Sequence, residues 1–233
     1  MPGRKLSEEA RQEDILRAAY DVAVKQGLSA LSLRAVAERA KVSHGTILFH
    51  FKRRDQLVAA LLERVLYATA ILRVPYDVER LTRPSDKLLE QLRIEMERLS
   101  NEARHFRLFL EYWTLGLRSA PIRRSVTAAM AAYRTAWRAL CEPVVMPAAD
   151  SSSPSKNASR QSRFGLADAE GLAAVAVSLV HGCALQAVVD PTGFDIQQHF
   201  DAAGRMLEAA LSRSQETPAF NVKRRVALSG ATR

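Results

Sequence analysis

Apolar residues return every three or four positions along nearly all of this chain of 233 residues, a spacing that puts them on one face of an α-helix. Residues 8–26 set Ile15, Leu16, Ala19, Val22 and Ala23 on one side, and Gly27 follows as a helix stop. Residues 33–40 predict a shorter helix with Leu33, Val36 and Ala37 inward and Ser32 as its cap. A turn, "AKVS", leads to a third helix over 44–51 that Ser43 can cap. From Asp55 a long helix is expected, with Leu57, Val58, Leu61, Leu62, Val65 and Leu72 as its inner stripe and Pro75 near its end.

After Pro84 the pattern resumes over 85–103, 105–118 and 121–146, with "APIRRSV" between the last two. Residues 146–163 are rich in Ser and Pro and read as a loop. Two further helices follow at 166–189 and 195–213, divided by "DPTGFD". From Ser214 the periodicity fades, and a basic tail, 214–233, is expected to be frayed. No alternating run of strand length occurs, so the expected fold is all-α. Its expected parts are a domain of short helices over 8–68 and a larger helical bundle over 69–213.

Composition narrows the class. Hydrophobic residues make up 48% of the chain, enough for a folded core. A formal net charge of +9 and a pI near 10.0 favour polyanionic partners. Cys141 and Cys183 have neither disulfide nor metal-ligand spacing, and both read as buried thiols in a reducing cytoplasm. Residues 172–189 carry no Asp, Glu, Lys or Arg, but their small and polar residues and lack of terminal aromatics fit a buried helix, and no membrane is expected. The histidines and cysteines never fall into a chelating pattern, and neither a nucleophile elbow nor a phosphate-cradling loop is present. No cofactor, metal site or catalytic residue is expected.

The third helix is unusual for a core helix in opening with small polar residues. Two helices joined by a tight turn form a helix-turn-helix, here 32–51, whose second helix enters the DNA major groove with its first turn against the base edges. Gly45 brings the backbone close, while Ser43 and Thr46 offer hydroxyls to phosphate or base. At the other end, His50, Lys52, Arg53 and Arg54 are placed to hold the DNA backbone, which sets affinity but carries no sequence information. Residues 1–64 contain twelve Lys or Arg against eight Asp or Glu, so placement matters here more than total charge.

The stretch "ILRAAYDVAVKQGLSALSLRAVAERAKVSHGTILFHFKRRDQLVAALL", residues 15–62, resembles the DNA-binding domain of the TetR family of bacterial transcriptional regulators. The likeness lies in the Ala-Val-Ala-Glu-Arg-Ala helix, the Val42-Ser43-x-Gly45-Thr46 entrance, the His50-Phe51 exit and the start of the long helix. It implies DNA contacts from Ser32, Arg34, Ser43, His44, Thr46, Leu48, Phe49, His50, Lys52 and Arg54, with Phe51 in the core. Two positions depart from the family. Lys41 stands where Gly is usual, which would cost on the order of 1 kcal/mol if that residue needs positive φ, and Lys41 could offset this by reaching a phosphate. Leu48 stands where Tyr is frequent, altering base preference or passing the aromatic contact to Phe49.

"FRLFLEYWTLGLRSAPIRRSV" and "LVHGCALQAVVDPTGFD" resemble, more weakly, the effector domain of the choline-responsive BetI subgroup. That likeness implies a small-molecule effector bound inside the bundle and a homodimer formed through the helices at 166–189 and 195–213. Phe109, Tyr112, Trp113, Tyr133, Trp137 and His181 are candidate pocket residues, each also suited to plain core packing. Glu111 beside Tyr112 and Trp113 could favour a cation, although sequence neighbours on a helix point about 100° apart. The expected function is that of a cytoplasmic, ligand-responsive, dimeric repressor on a near-palindromic double-stranded DNA operator. A helical-bundle enzyme and a nonspecific DNA-binding protein are the alternatives.

Overall fold

The computed structural model describes residues 7–69, 71–145 and 169–216. Its helices are α1 (Glu8–Gln26), α2 (Leu33–Ala40), α3 (His44–His50), α4 (Arg54–Thr69), α5 (Tyr76–Glu79), α6 (Pro84–Asn101), α7 (Ala103–Gly116), α8 (Ala120–Val145), α9 (Ala169–Val189) and α10 (Ile196–Glu216). A 3-10 turn, Leu28–Ala30, links α1 to α2, and no strand occurs among the described residues. The chain is all-α, as its periodicity requires.

Local chemistry sets the first three helices. The hydroxyls of Ser7, Ser32 and Ser43 accept from the amides of Ala10, Ala35 and Thr46, capping α1, α2 and α3. Gly27 ends α1 at φ 84°, and its amide returns to the Ala23 carbonyl. At the end of α2, Lys41 takes the left-handed conformation (φ 55°, ψ 42°), and the Val42 amide reaches back to the Ala37 carbonyl at 3.0 Å. That closes the tight turn into α3. Ile15, Ala19, Val36, Ile47, Phe51 and Leu57 are buried where α1, α2, α3 and α4 meet.

The larger bundle has α9 packed on α6 and α8, while α7 lies against α8 and α9 on one side and α1 and α4 on the other. α9 buries Ala173, Ala176, Val180, Cys183 and Ala184, and exposes Val175, Leu185 and Val189. It is the one helix among the described residues long and apolar enough to cross a membrane. Its small buried residues match its close packing on α6 and α8. Both cysteines are free and buried, and burial pushes the Cys141 thiol up to about 12.

Two expectations change. The long helix stops at Thr69, well before Pro75, and Leu72 packs on the core from a nonhelical segment instead of extending the stripe. β-Branched Thr69 and Ile71 weaken helix propagation there, and Pro75 instead leads into α5, too short to show a periodicity. α10 runs through Glu216, three residues into the stretch read as a tail. The expected loop at 146–163 and residues 217–233 lie outside the described residues.

Candidate nucleic-acid interface and its connection to the bundle

α3 is held from beneath and open above. Ile47 and Phe51 anchor it in the core, leaving Ser43, His44, Gly45, Leu48 and Phe49 exposed and Thr46 and His50 partly so. Phe49 is 71% exposed, and its ring meets His50 edge-on at 5.2 Å. An aromatic ring left in solvent beside a polar helix entrance contributes nothing to this core; it is available to a partner. The Ser43 hydroxyl also lies 2.9 Å from that of Thr46, so the two polar groups are mutually oriented at the helix start.

Around this helix, Ser32 caps α2 and Arg34 pairs with Glu38 at 3.2 Å on the exposed face. Lys41 and Lys52 are exposed at the two ends of α3. Arg54 is tied inward: its Nε and Nη2 donate to the carbonyls of Leu31 and Leu28, both at 2.6 Å. This arginine therefore fixes the start of α4 to the turn between α1 and α2.

Of the six candidate pocket residues, the structure gathers five. The rings of Phe109, Trp113 and Tyr133 lie 5.8–5.9 Å from the His181 imidazole, with Tyr133 stacked nearly parallel to it at 11°. Trp137 joins through Tyr133, edge-on at 6.2 Å, while Tyr112 turns away and donates to the Val58 carbonyl on α4 at 2.9 Å. Burial, with Arg98 nearby, lowers the His181 pKa to about 4, so the ring is neutral at pH 7.

The periodicity gave no warning of a buried polar set beneath these rings. Glu95 is 1% exposed, takes both the Arg98 guanidinium and the Tyr133 hydroxyl, and shares an α6 face with fully buried Gln91. The signal available was Gln91 and Glu95 interrupting the stripe of Leu88, Leu92, Met96 and Leu99. The Trp137 indole N–H is buried near the Tyr133 hydroxyl without a hydrogen-bond acceptor among the described residues, while that hydroxyl donates to Glu95.

α7 joins the two regions. On one face Phe106 and Phe109 touch His181, and on the other four polar side chains reach the N-terminal helices. His105 Nδ1 meets the Tyr20 hydroxyl at 2.9 Å, Arg107 donates to the Val24 carbonyl at 2.8 Å, and the Glu111 carboxylate accepts from the Leu28 amide at 2.6 Å. The fourth is Tyr112, whose hydroxyl donates to the Val58 carbonyl of α4. The Glu111 carboxylate lies close over Gly27, where a Cβ would sit 3.3 Å from it.

Residues 15–61 match the family described as bacterial regulatory proteins, tetR family. Over 51 residues the chain is 45% identical to an HTH-type transcriptional repressor of Mycobacterium tuberculosis, a match spanning 22% of this chain and 27% of that protein. The chain thus spans about a quarter of the length of the curated relatives it matches. Among solved structures, a transcriptional regulator from Rhodococcus aligns over 88% of this chain and 98% of its own, at TM-score 0.66 and 22% identity. A TetR-family member from Streptomyces coelicolor aligns over 90% of this chain and 99% of its own, at TM-score 0.57 and 25% identity. Residues 15–61 thus match the TetR family of bacterial regulatory proteins, and most of the chain has the fold of solved transcriptional regulators. These relatives are transcriptional regulators.

Proposed function

We propose that the chain is a cytoplasmic, homodimeric transcriptional repressor that leaves a near-palindromic operator when a small molecule binds its bundle. The observation that carries this is the exposed face of α3, with its oriented Ser43 and Thr46 hydroxyls and solvent-facing His44, Leu48 and Phe49. Lys41, Lys52 and Gly45 complete the face, and two such helices in a dimer would enter successive major grooves roughly 34–36 Å apart. Residues 8–68 would serve as the DNA-binding domain, and 69–213 as the effector and dimerisation domain. α9 and α10 present Val175, Leu185, Val189 and Met206 to solvent, which supports their use as the dimer face. The aromatic cluster at His181, touching α7, is the effector site we favour.

An effector acts only through unequal affinity for two arrangements of the dimer. α7 is the natural carrier because it touches both the His181 cluster and the N-terminal helices. The test is selection of bound genomic fragments by the purified protein and by Phe49→Ala. Phe49 packs on no core residue, so its removal should leave the melting temperature within about 2 °C, in line with the small effect of surface substitutions. It should lower affinity for the selected site at least tenfold. Fragments with no shared sequence would sink the regulator reading, and unchanged affinity would remove α3 as its reader.

A further inference from the structure

Where α7 meets the turn between α1 and α2, the surface opens into a cleft of about 470 Å³. Three guanidinium groups, Arg54, Arg107 and Arg118, line it with a single carboxylate, Glu111. Arg54 and Arg107 are held by carbonyl acceptors, at Leu28, Leu31 and Val24, which orient them without cancelling their charge. Arg118 pairs with no carboxylate among the described residues and is exposed. The cleft therefore holds two positive charges in excess, and Leu110 and Leu115 form an apolar wall beside them. Its volume lies in the range of small-molecule sites, where a mostly apolar wall with a few fixed polar groups sets orientation.

From this we infer a second ligand site, separate from the His181 cluster, that takes a small organic anion: a carboxylate or phosphate monoester on a short apolar body. Guanidinium forks bind both headgroups, commonly in bidentate fashion. The Glu111 carboxylate is the internal rival of such an anion. It occupies the Leu28 amide and faces the same arginines, so a bound anion and Glu111 repel each other across the cleft. Binding at this place would loosen the contact by which α7 holds the turn before α2. The site itself does not depend on the regulator reading; only its consequence for DNA does.

The experiment uses the full chain, with benzoate and phenyl phosphate as anionic probes and benzyl alcohol and benzylamine as neutral and cationic controls. Binding is read from the Leu28 amide resonance and by calorimetry at low and moderate salt. Either anion should bind in the millimolar range or tighter and shift that resonance, while the controls leave it in place. Arg118→Ala, which removes an exposed side chain that pairs with no carboxylate among the described residues, should weaken binding about tenfold. Glu111→Gln should strengthen it several-fold, a direction that mere loss of structure would not produce. Absence of anion binding, equal binding of benzyl alcohol, or Glu111→Gln and Arg118→Ala both leaving affinity unchanged would each overturn the inference. A preference between benzoate and phenyl phosphate assigns the headgroup. A separate titration with the selected DNA fragment tests the consequence: bound anion should lower its affinity, and failure there leaves the site standing and removes only the coupling.

Discussion

Lys41 holds a backbone conformation that suits glycine, at φ 55°. The strain of a side chain in this region is on the order of 1 kcal/mol, partly offset by the extra freedom glycine gives the unfolded chain. Lys41→Gly should therefore raise stability in urea unfolding by up to about 1 kcal/mol. If the lysine also meets a phosphate, the same variant should bind DNA more weakly and with a shallower salt dependence. His181 makes a second residue-scale case. Its folded pKa of about 4 lies below the ordinary 6.5, so the unfolded chain takes up a proton first as pH falls. Stability is full above pH 6.5 and declines between there and 4, by roughly 3 kcal/mol for the whole shift. Burial lowers the His105 pKa as well, so both histidines act in the same direction. His181→Phe should flatten the decline without abolishing it, as read from urea midpoints at pH 7.5 and pH 5.

At the scale of elements, α1, α2 and α3 were legible almost to the residue. Their caps act within three positions of each helix start, and their apolar stripes repeat within one or two turns, so all the information is local. The end of α4 was not, because Leu72 packs partly buried on the core without the helix reaching it. Nor was the work of α7, whose polar residues look like an ordinary solvated face until the partners at Val24, Leu28 and Val58 are in place. The Glu111 contact can be weighed directly. A hydrogen bond to a charged group contributes roughly 1.5–3 kcal/mol when its loss leaves the other partner unsatisfied. Glu111 is partly buried, so Glu111→Ala should lower stability by about 1–2 kcal/mol and speed hydrogen exchange at Leu28. Unchanged exchange would mean that solvent replaces the carboxylate without loss.

For the whole molecule, the open question is the second protomer. α9 is uncharged from Leu172 to Val189, and one side of it fills the core while Leu185 and Val189, like Met206 of α10, remain in solvent. A dimer through this face should come apart on Leu185→Asp or Met206→Asp, halving the mass seen by sedimentation at micromolar concentration. Both positions are exposed, so the monomer should stay folded. DNA affinity should fall with the dimer, since two half-sites are then no longer read together. Survival of the dimer in both variants would place the interface elsewhere.

By itself the sequence determined that the chain is helical, where the first three helices begin and end, and which helix opens with small polar residues. These follow from interactions between residues a few positions apart, which a linear reading contains. Only the tertiary structure decided which aromatics gather at His181, that Tyr112 serves α4 instead, that Arg54 is tied to the carbonyls of Leu28 and Leu31, and that Glu111 meets Leu28 across 83 residues. Such contacts depend on how helices pack in three dimensions, and a periodicity that names the buried face of each helix leaves open which helix covers it.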